Sequence, residues 1–158
     1  MRLIRVMTID DCAVARHMVK LLLADQRGIE VVAEAASFEE ASATLAGKQI
    51  DVITLDLNLP DAAGLPLIEK FTSAVRGIVV ISGNAEQHAD ALKLGAVACL
   101  EKSRIVDEKA RLVRSIHQAA KKRGPAKRFP VLGRQAVRDA FSGWNGLVAS
   151  AKGGGLLK

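Results

Sequence analysis

The chain has 158 residues, 49% of them hydrophobic but only 3% aromatic, a size and composition that support one domain with an aliphatic core plus an extension. Its net charge of +6 is uneven: residues 1–120 carry 14 Lys and Arg against 16 Asp and Glu, whereas the last 38 carry nine against Asp139 alone. The body is therefore excluded as a basic surface, and two isolated cysteines, Cys12 and Cys99, exclude a disulfide scaffold or a cysteine metal knuckle.

Residues 3–9 read as a first strand that stops at the acidic pair Asp10 and Asp11. Arg5 and Thr8 interrupt it, so it is no signal-peptide core, and no run reaches membrane-spanning length. A reducing, cytoplasmic setting is expected. Val14, Met18, Leu21 and Leu22 then recur at helical spacing, which predicts an amphipathic helix over 13–24 with those residues inward. After Gly28, residues 29–35 alternate as a second strand. Ser37 and Glu40 have capping-box spacing ahead of a helix carrying Phe38, Ala41 and Leu45.

Residues 51–55 form a short β-branched run, too brief for a helix, that ends at Asp56. Pro60, Asp61 and Gly64 break regular structure just beyond it, so Asp56 is expected at the mouth of a loop on a rigid base. Taken alone, such a carboxylate is a structural cap, a metal ligand or a nucleophile. A helix over 65–73 follows, with Leu67, Ile68 and Phe71 inward, and then residues 77–81 form an apolar strand ending at Ser82, Gly83 and Asn84. A short helix with Ala89 and Leu92 runs to Gly95, residues 96–100 make a fifth strand, and Glu101, Lys102 and Ser103 stand at its exit. The last regular helix, 107–121, places Ala110, Val113, Ile116 and Ala120 on one face.

Five β-α units with short connections call for a parallel sheet with helices on both faces, and such a sheet gathers its strand exits on one edge. That edge would hold Asp10, Asp11, Asp56, Ser82 and Lys102. Acids so gathered repel one another unless a cation sits between them, and oxygen-only surroundings suit a hard, octahedral ion such as Mg²⁺. Asp56 could then act as a carboxylate nucleophile, with a lysine charge and a hydroxyl neutralising the oxygens of a transferred phosphoryl group.

This order of residues resembles the receiver domain of two-component response regulators, the CheY-like family, and most nearly receivers of the chemotaxis and receptor-methylesterase type. The resemblance implies a flavodoxin-like (βα)5 doubly wound sheet of order 2-1-3-4-5 over residues 1–121. It also implies that Asp56 accepts a phosphoryl group from a sensor histidine kinase or histidine phosphotransfer protein, with Ser82 and Lys102 contacting that group. Asp11, Asp56 and the backbone carbonyl of Asn58 would hold Mg²⁺, Asp10 assisting through water, and Asn58 and Asn84 would flank the site. Two positions depart from the family pattern. Cys99 occupies the switch position, usually aromatic, and Ser103 replaces the proline that often follows the lysine, so a cis peptide is not expected there.

His17, His88 and His117 lack ligand spacing and read as ordinary helix residues. Residues 122–158 read as a Pro-broken basic linker and a short amphipathic helix bearing Leu132, Ala136, Val137, Ala140, Phe141 and Trp144. That helix could pack on its own receiver or a second copy, dock on a partner, or accompany phosphate-backbone binding. Neither a helix-turn-helix pair nor a G-x-S-x-G nucleophile elbow is present. The expected function is a single-domain response regulator whose phosphorylation switches contacts with a downstream protein or a second copy, rather than an enzyme acting on a separate substrate. The alternatives are a Mg²⁺-dependent aspartyl-phosphate phosphatase or phosphotransferase, and nucleic-acid binding through the tail.

Overall fold

The computed structural model describes residues 2–122 and Gly124; the expected tail helix and most of its linker lie outside the described residues. Five strands, β1 (Ile4–Ile9), β2 (Ile29–Ala35), β3 (Val52–Leu55), β4 (Gly77–Ser82) and β5 (Ala98–Glu101), form one sheet of order β2-β1-β3-β4-β5. Every pairing is parallel, as the alternation of strands with helices requires. The chain starts at β1, moves outward to β2, and then crosses to β3 and beyond. The switch point between β1 and β3 is where an open α/β sheet leaves a crevice at its carboxyl edge.

Helices α1 (Ala13–Leu23), α2 (Phe38–Gly47), α3 (Pro66–Thr72), α4 (His88–Lys93) and α5 (Lys109–Ala120) cover the sheet. Strand side chains alternate between two apolar layers. Met7, Ile9, Ile53, Leu55, Ile78 and Val80 face Phe38, Leu45, Leu67, Ile68 and Phe71, and the Phe38 and Phe71 rings stack at 4.9 Å. Val6, Val52, Val79, Ile81 and Leu100 face Val19, Leu23, Leu112, Ile116 and Ala119 on the other side.

Helices α1 and α5 meet the expectation in part: Met18 and Leu22 of α1 and Val113, Ile116 and Ala120 of α5 face the core, while other expected residues do not. In α1, Val14 and Leu21 are exposed and Val19, Leu22 and Leu23 are buried. In α4, Ala89 and Leu92 are exposed while Ala91 packs inward. In α5, Ala110 is exposed, and the buried line is Leu112, Ser115, Ile116 and Ala119. Ser115 can sit there because its hydroxyl donates to the Arg111 carbonyl at 2.8 Å, so no polar group is left unpaired.

The α2 capping box forms in altered shape. Ser37 Oγ accepts from the Glu40 amide at 3.1 Å, but the Glu40 carboxylate reaches back to the Ala36 amide at 2.7 Å. The remaining first-turn donors go to Asp61, whose carboxylate accepts from the Phe38 and Glu39 amides at 2.8 and 2.9 Å. A residue expected only to make a turn after β3 therefore caps a helix elsewhere.

Gly77 opens β4 against α5 with no room for a side chain. A Cβ there would lie 2.6 Å from Ala119 Cβ and 2.9 Å from its Cα. Gly77→Ala is expected to force α5 outward and lower stability by about 1–3 kcal/mol, read as a lower urea midpoint. An unchanged midpoint would contradict that packing.

Candidate functional site

The strand register assembles the site. Ile9, Leu55, Val80 and Cys99 stand in one row across the sheet. One residue beyond that row come Asp10 and Asp56, two beyond comes Ser82, and three beyond comes Lys102. Backbone bonds fix both acids: the Asp10 amide donates to the Ala35 carbonyl and the Asp56 amide to the Ile9 carbonyl.

Lys102 Nζ lies 2.9 Å from Asp56 Oδ2 and 2.7 Å from Asp10 Oδ2, so one ammonium bridges two buried carboxylates. Asp56 Oδ1 accepts from the Asn58 amide at 3.2 Å, and Asp10 Oδ1 accepts from the Cys12 amide at 2.9 Å. Burial pushes the Asp56 carboxyl above the usual carboxylate range; Lys102 pulls it down, Asp10 adds to the rise, and the net shift is upward. For Lys102, burial pulls the amine down, but its pairs with Asp10 and Asp56 outweigh that and leave it raised.

Asp11 is exposed beside this pair, and carboxylate oxygens of Asp10, Asp11 and Asp56 all lie within 4.8 Å of one another. Three hard anionic donors at that separation fit a hard divalent cation with open coordination positions. Ser82 is buried at the end of β4, where its Oγ accepts from the Asn84 amide at 3.1 Å; Asn84 Oδ1 in turn accepts from the Glu86 amide. Asn58 is exposed and forms an isolated bridge with Ala63. The crevice above Asp56 has a volume of about 270 Å³, and Val14, Met18, Ile105 and Val106 make its apolar wall.

Cys99 is buried in β5, with Sγ 3.5 Å from the His88 carbonyl, and burial pushes its thiol up to about 11. No cis peptide occurs among the described residues. Thiol reagent at neutral pH is expected to label Cys12, which is exposed, and to reach Cys99 only on unfolding. Two equivalents consumed by the native protein would contradict this.

Sequence reasoning missed Arg16. Its Nη1 donates to the Asp10 carbonyl at 2.6 Å, and its Nε lies 3.7 Å from Glu34 Oε1, so it braces the acidic strand exit from α1. Its place six residues after Asp10 on a helix leading from the site was the only available signal.

Residues 6–117 match the family model described as the response regulator receiver domain. The chain belongs to that family. It is a two-component receiver with the flavodoxin-like, CheY-like fold. Among curated proteins, this receiver is 38% identical over 120 residues to protein-glutamate methylesterase/protein-glutamine glutaminase 2 of Anaeromyxobacter dehalogenans, a match covering 72% of this chain and 35% of that protein. It is 40% identical over 78 residues to protein-glutamate methylesterase/protein-glutamine glutaminase 1 of Paramagnetospirillum magneticum, covering 49% and 20%. The receiver thus spans about a third or less of the length of these relatives. Among solved structures, the response regulator domain of Thermotoga maritima CheB superposes with a TM-score of 0.68 at 25% identity, over 77% of this chain and 99% of that one. A chain from the complex of the CheA3 P1 domain with CheY6 of R. sphaeroides superposes at 0.62 with 27% identity, over 75% and 99%.

Proposed function

We propose that this receiver is a phosphorylation-controlled protein switch in which Asp56 accepts a phosphoryl group from a phosphohistidine on a sensor kinase or phosphotransfer protein. The observation that supports it most is the Lys102 ammonium held between Asp10 and Asp56, a cation at the oxygen where phosphoryl charge would develop. A carboxylate oxygen of Asp56 forms the new P–O bond as the donor's P–N bond breaks, and the imidazole, protonated on its other ring nitrogen, takes the electron pair and leaves neutral. Lys102 then pairs with a phosphoryl oxygen, and the Ser82 hydroxyl turns from the Asn84 amide to donate to another. Asp11, Asp56 and the Asn58 carbonyl would hold Mg²⁺, with Asp10 assisting through water; the ion supplies neutralisation of charge on the phosphoryl oxygens.

The partner surface follows from the same crevice. Val14 is 72% exposed and Val106 56% exposed on either side of it, where a donor protein would cover them. The output is a change of protein contacts, read through Ser82 and the β4–α4 connection. At the switch position Cys99 is too small to act as a swinging ring.

Incubation with a small phosphodonor such as acetyl phosphate should add one alkali-labile phosphoryl group, dependent on Mg²⁺ and lost with a chelator. Labelling indifferent to Mg²⁺, or continuous turnover of a small phosphorylated substrate without a stable adduct, would reject the switch; the latter would support a phosphatase.

A further inference from the structure

The opposite edge of the sheet holds a third buried aspartate, with the reverse electrostatic setting. Asp51 immediately precedes β3, as Asp56 immediately follows it, and it is 3% exposed. Three arginines converge on it: Arg2 Nη2 at 2.9 Å, Arg5 Nε at 3.3 Å and Arg76 Nε at 3.4 Å, with the Arg5 amide donating at 3.0 Å. Two carboxylate oxygens offer about four acceptor positions, so Asp51 is saturated. Of these arginines, Arg2 and Arg76 line a crevice that Lys121 also lines, so three cations stand against the one carboxylate there and two positive charges are uncompensated. Asp51 is the only acid in that lining.

The arginines are also held with donors to spare. Arg76 is fixed at its far end by Nη1 donating to the Lys122 carbonyl at 3.1 Å. Among the described residues, Arg2 commits only Nη2, so most of its N–H groups remain available. The crevice has a volume of about 240 Å³, with Leu3, Ile4 and Ala120 as an apolar wall beside the cations.

We infer that this crevice binds a phosphate monoester, its oxygens on Arg2, Arg76 and Lys121 and its organic part against Leu3 and Ala120. Fork-shaped guanidinium donors pre-oriented by a buried carboxylate match tetrahedral oxyanions, and the apolar wall favours an ester over a bare ion. The inference does not rest on phosphorylation of Asp56.

The test is a backbone-amide NMR titration of the full chain without Mg²⁺, using glycerol phosphate, inorganic phosphate and vesicles containing phosphatidic acid as separate arms. Shifts at Arg5, Asp51, Arg76 and Ala120 with glycerol phosphate, stronger than with inorganic phosphate, are the expected result. Signal loss confined to the vesicle arm would instead assign the ester to a lipid headgroup at the same residues. The double variant Arg2→Gln, Arg76→Gln should weaken binding by roughly tenfold or more. Shifts located at Asp56 and Lys102, equal response to chloride, no response in the millimolar range, or indifference to the arginine variant would each overturn the site.

Discussion

Asp56→Asn is expected to take up no phosphoryl group under conditions in which the parent chain is fully labelled, a loss of at least roughly a hundredfold in rate, or about 2.7 kcal/mol of barrier. The substitution keeps the shape of the side chain. Its one amide oxygen can still accept from either Lys102 or the Asn58 backbone, which now bond different oxygens of Asp56, and Lys102 keeps its pair with Asp10. What disappears is the negative charge that makes an oxygen nucleophilic. Folding should be preserved or improved, because burial already disfavours the charged carboxylate and Asp10 repels it. Retained labelling would place the acceptor elsewhere, and Asp10 and Asp11 are the carboxylates within reach.

The second large effect concerns Lys102→Met. Methionine fills similar space, but it leaves Asp10 and Asp56 facing each other without the cation that bridges them. Removing one member of a buried charge cluster costs on the order of 3 kcal/mol at neutral pH. The sign of the pH dependence follows from the two raised groups. Asp56, raised by burial, contributes stability that is present below the ordinary carboxylate range and lost as pH rises through its elevated value. Lys102, raised on balance by its acidic partners, contributes stability through neutral pH that is lost only as pH climbs through the lysine range. In Lys102→Met the second contribution vanishes and the first grows. The gap in urea midpoint between the two proteins should therefore be widest near neutrality and narrow on acidification. A gap that does not change with pH would mean that Lys102 acts by packing alone. Phosphoryl uptake should fall as well, since the ammonium is the closest cation to Asp56 among the described residues.

Much of this architecture could be read from residue order. The strands declare themselves as short β-branched runs closed by Gly, Pro, Asp and Asn, and parallel topology then forces Asp10, Asp56, Ser82 and Lys102 to one edge without further information. Helix facing was harder to read. α1 and α5 carry more apolar or small residues than one face can hold, so the sequence alone could not choose between Val14 and Val19, or between Ala110 and Leu112. The polar braces were invisible for a different reason. Asp61 on α2, Arg16 on the Asp10 carbonyl and Arg2 on Asp51 join residues up to 49 positions apart, and no local pattern marks such a bond.

The Asp61 carboxylate has one more implication. By gripping two amides of α2 it rivets the loop after β3 to a neighbouring helix, so the ground on that flank of Asp56 is stiff. The opposite flank is tied mainly within itself, by Ser82 to Asn84 and Asn84 to Glu86, with Cys99 reaching it through a single thiol contact. The domain's compliance is therefore lopsided, and strain introduced at Asp56 would relax toward α4.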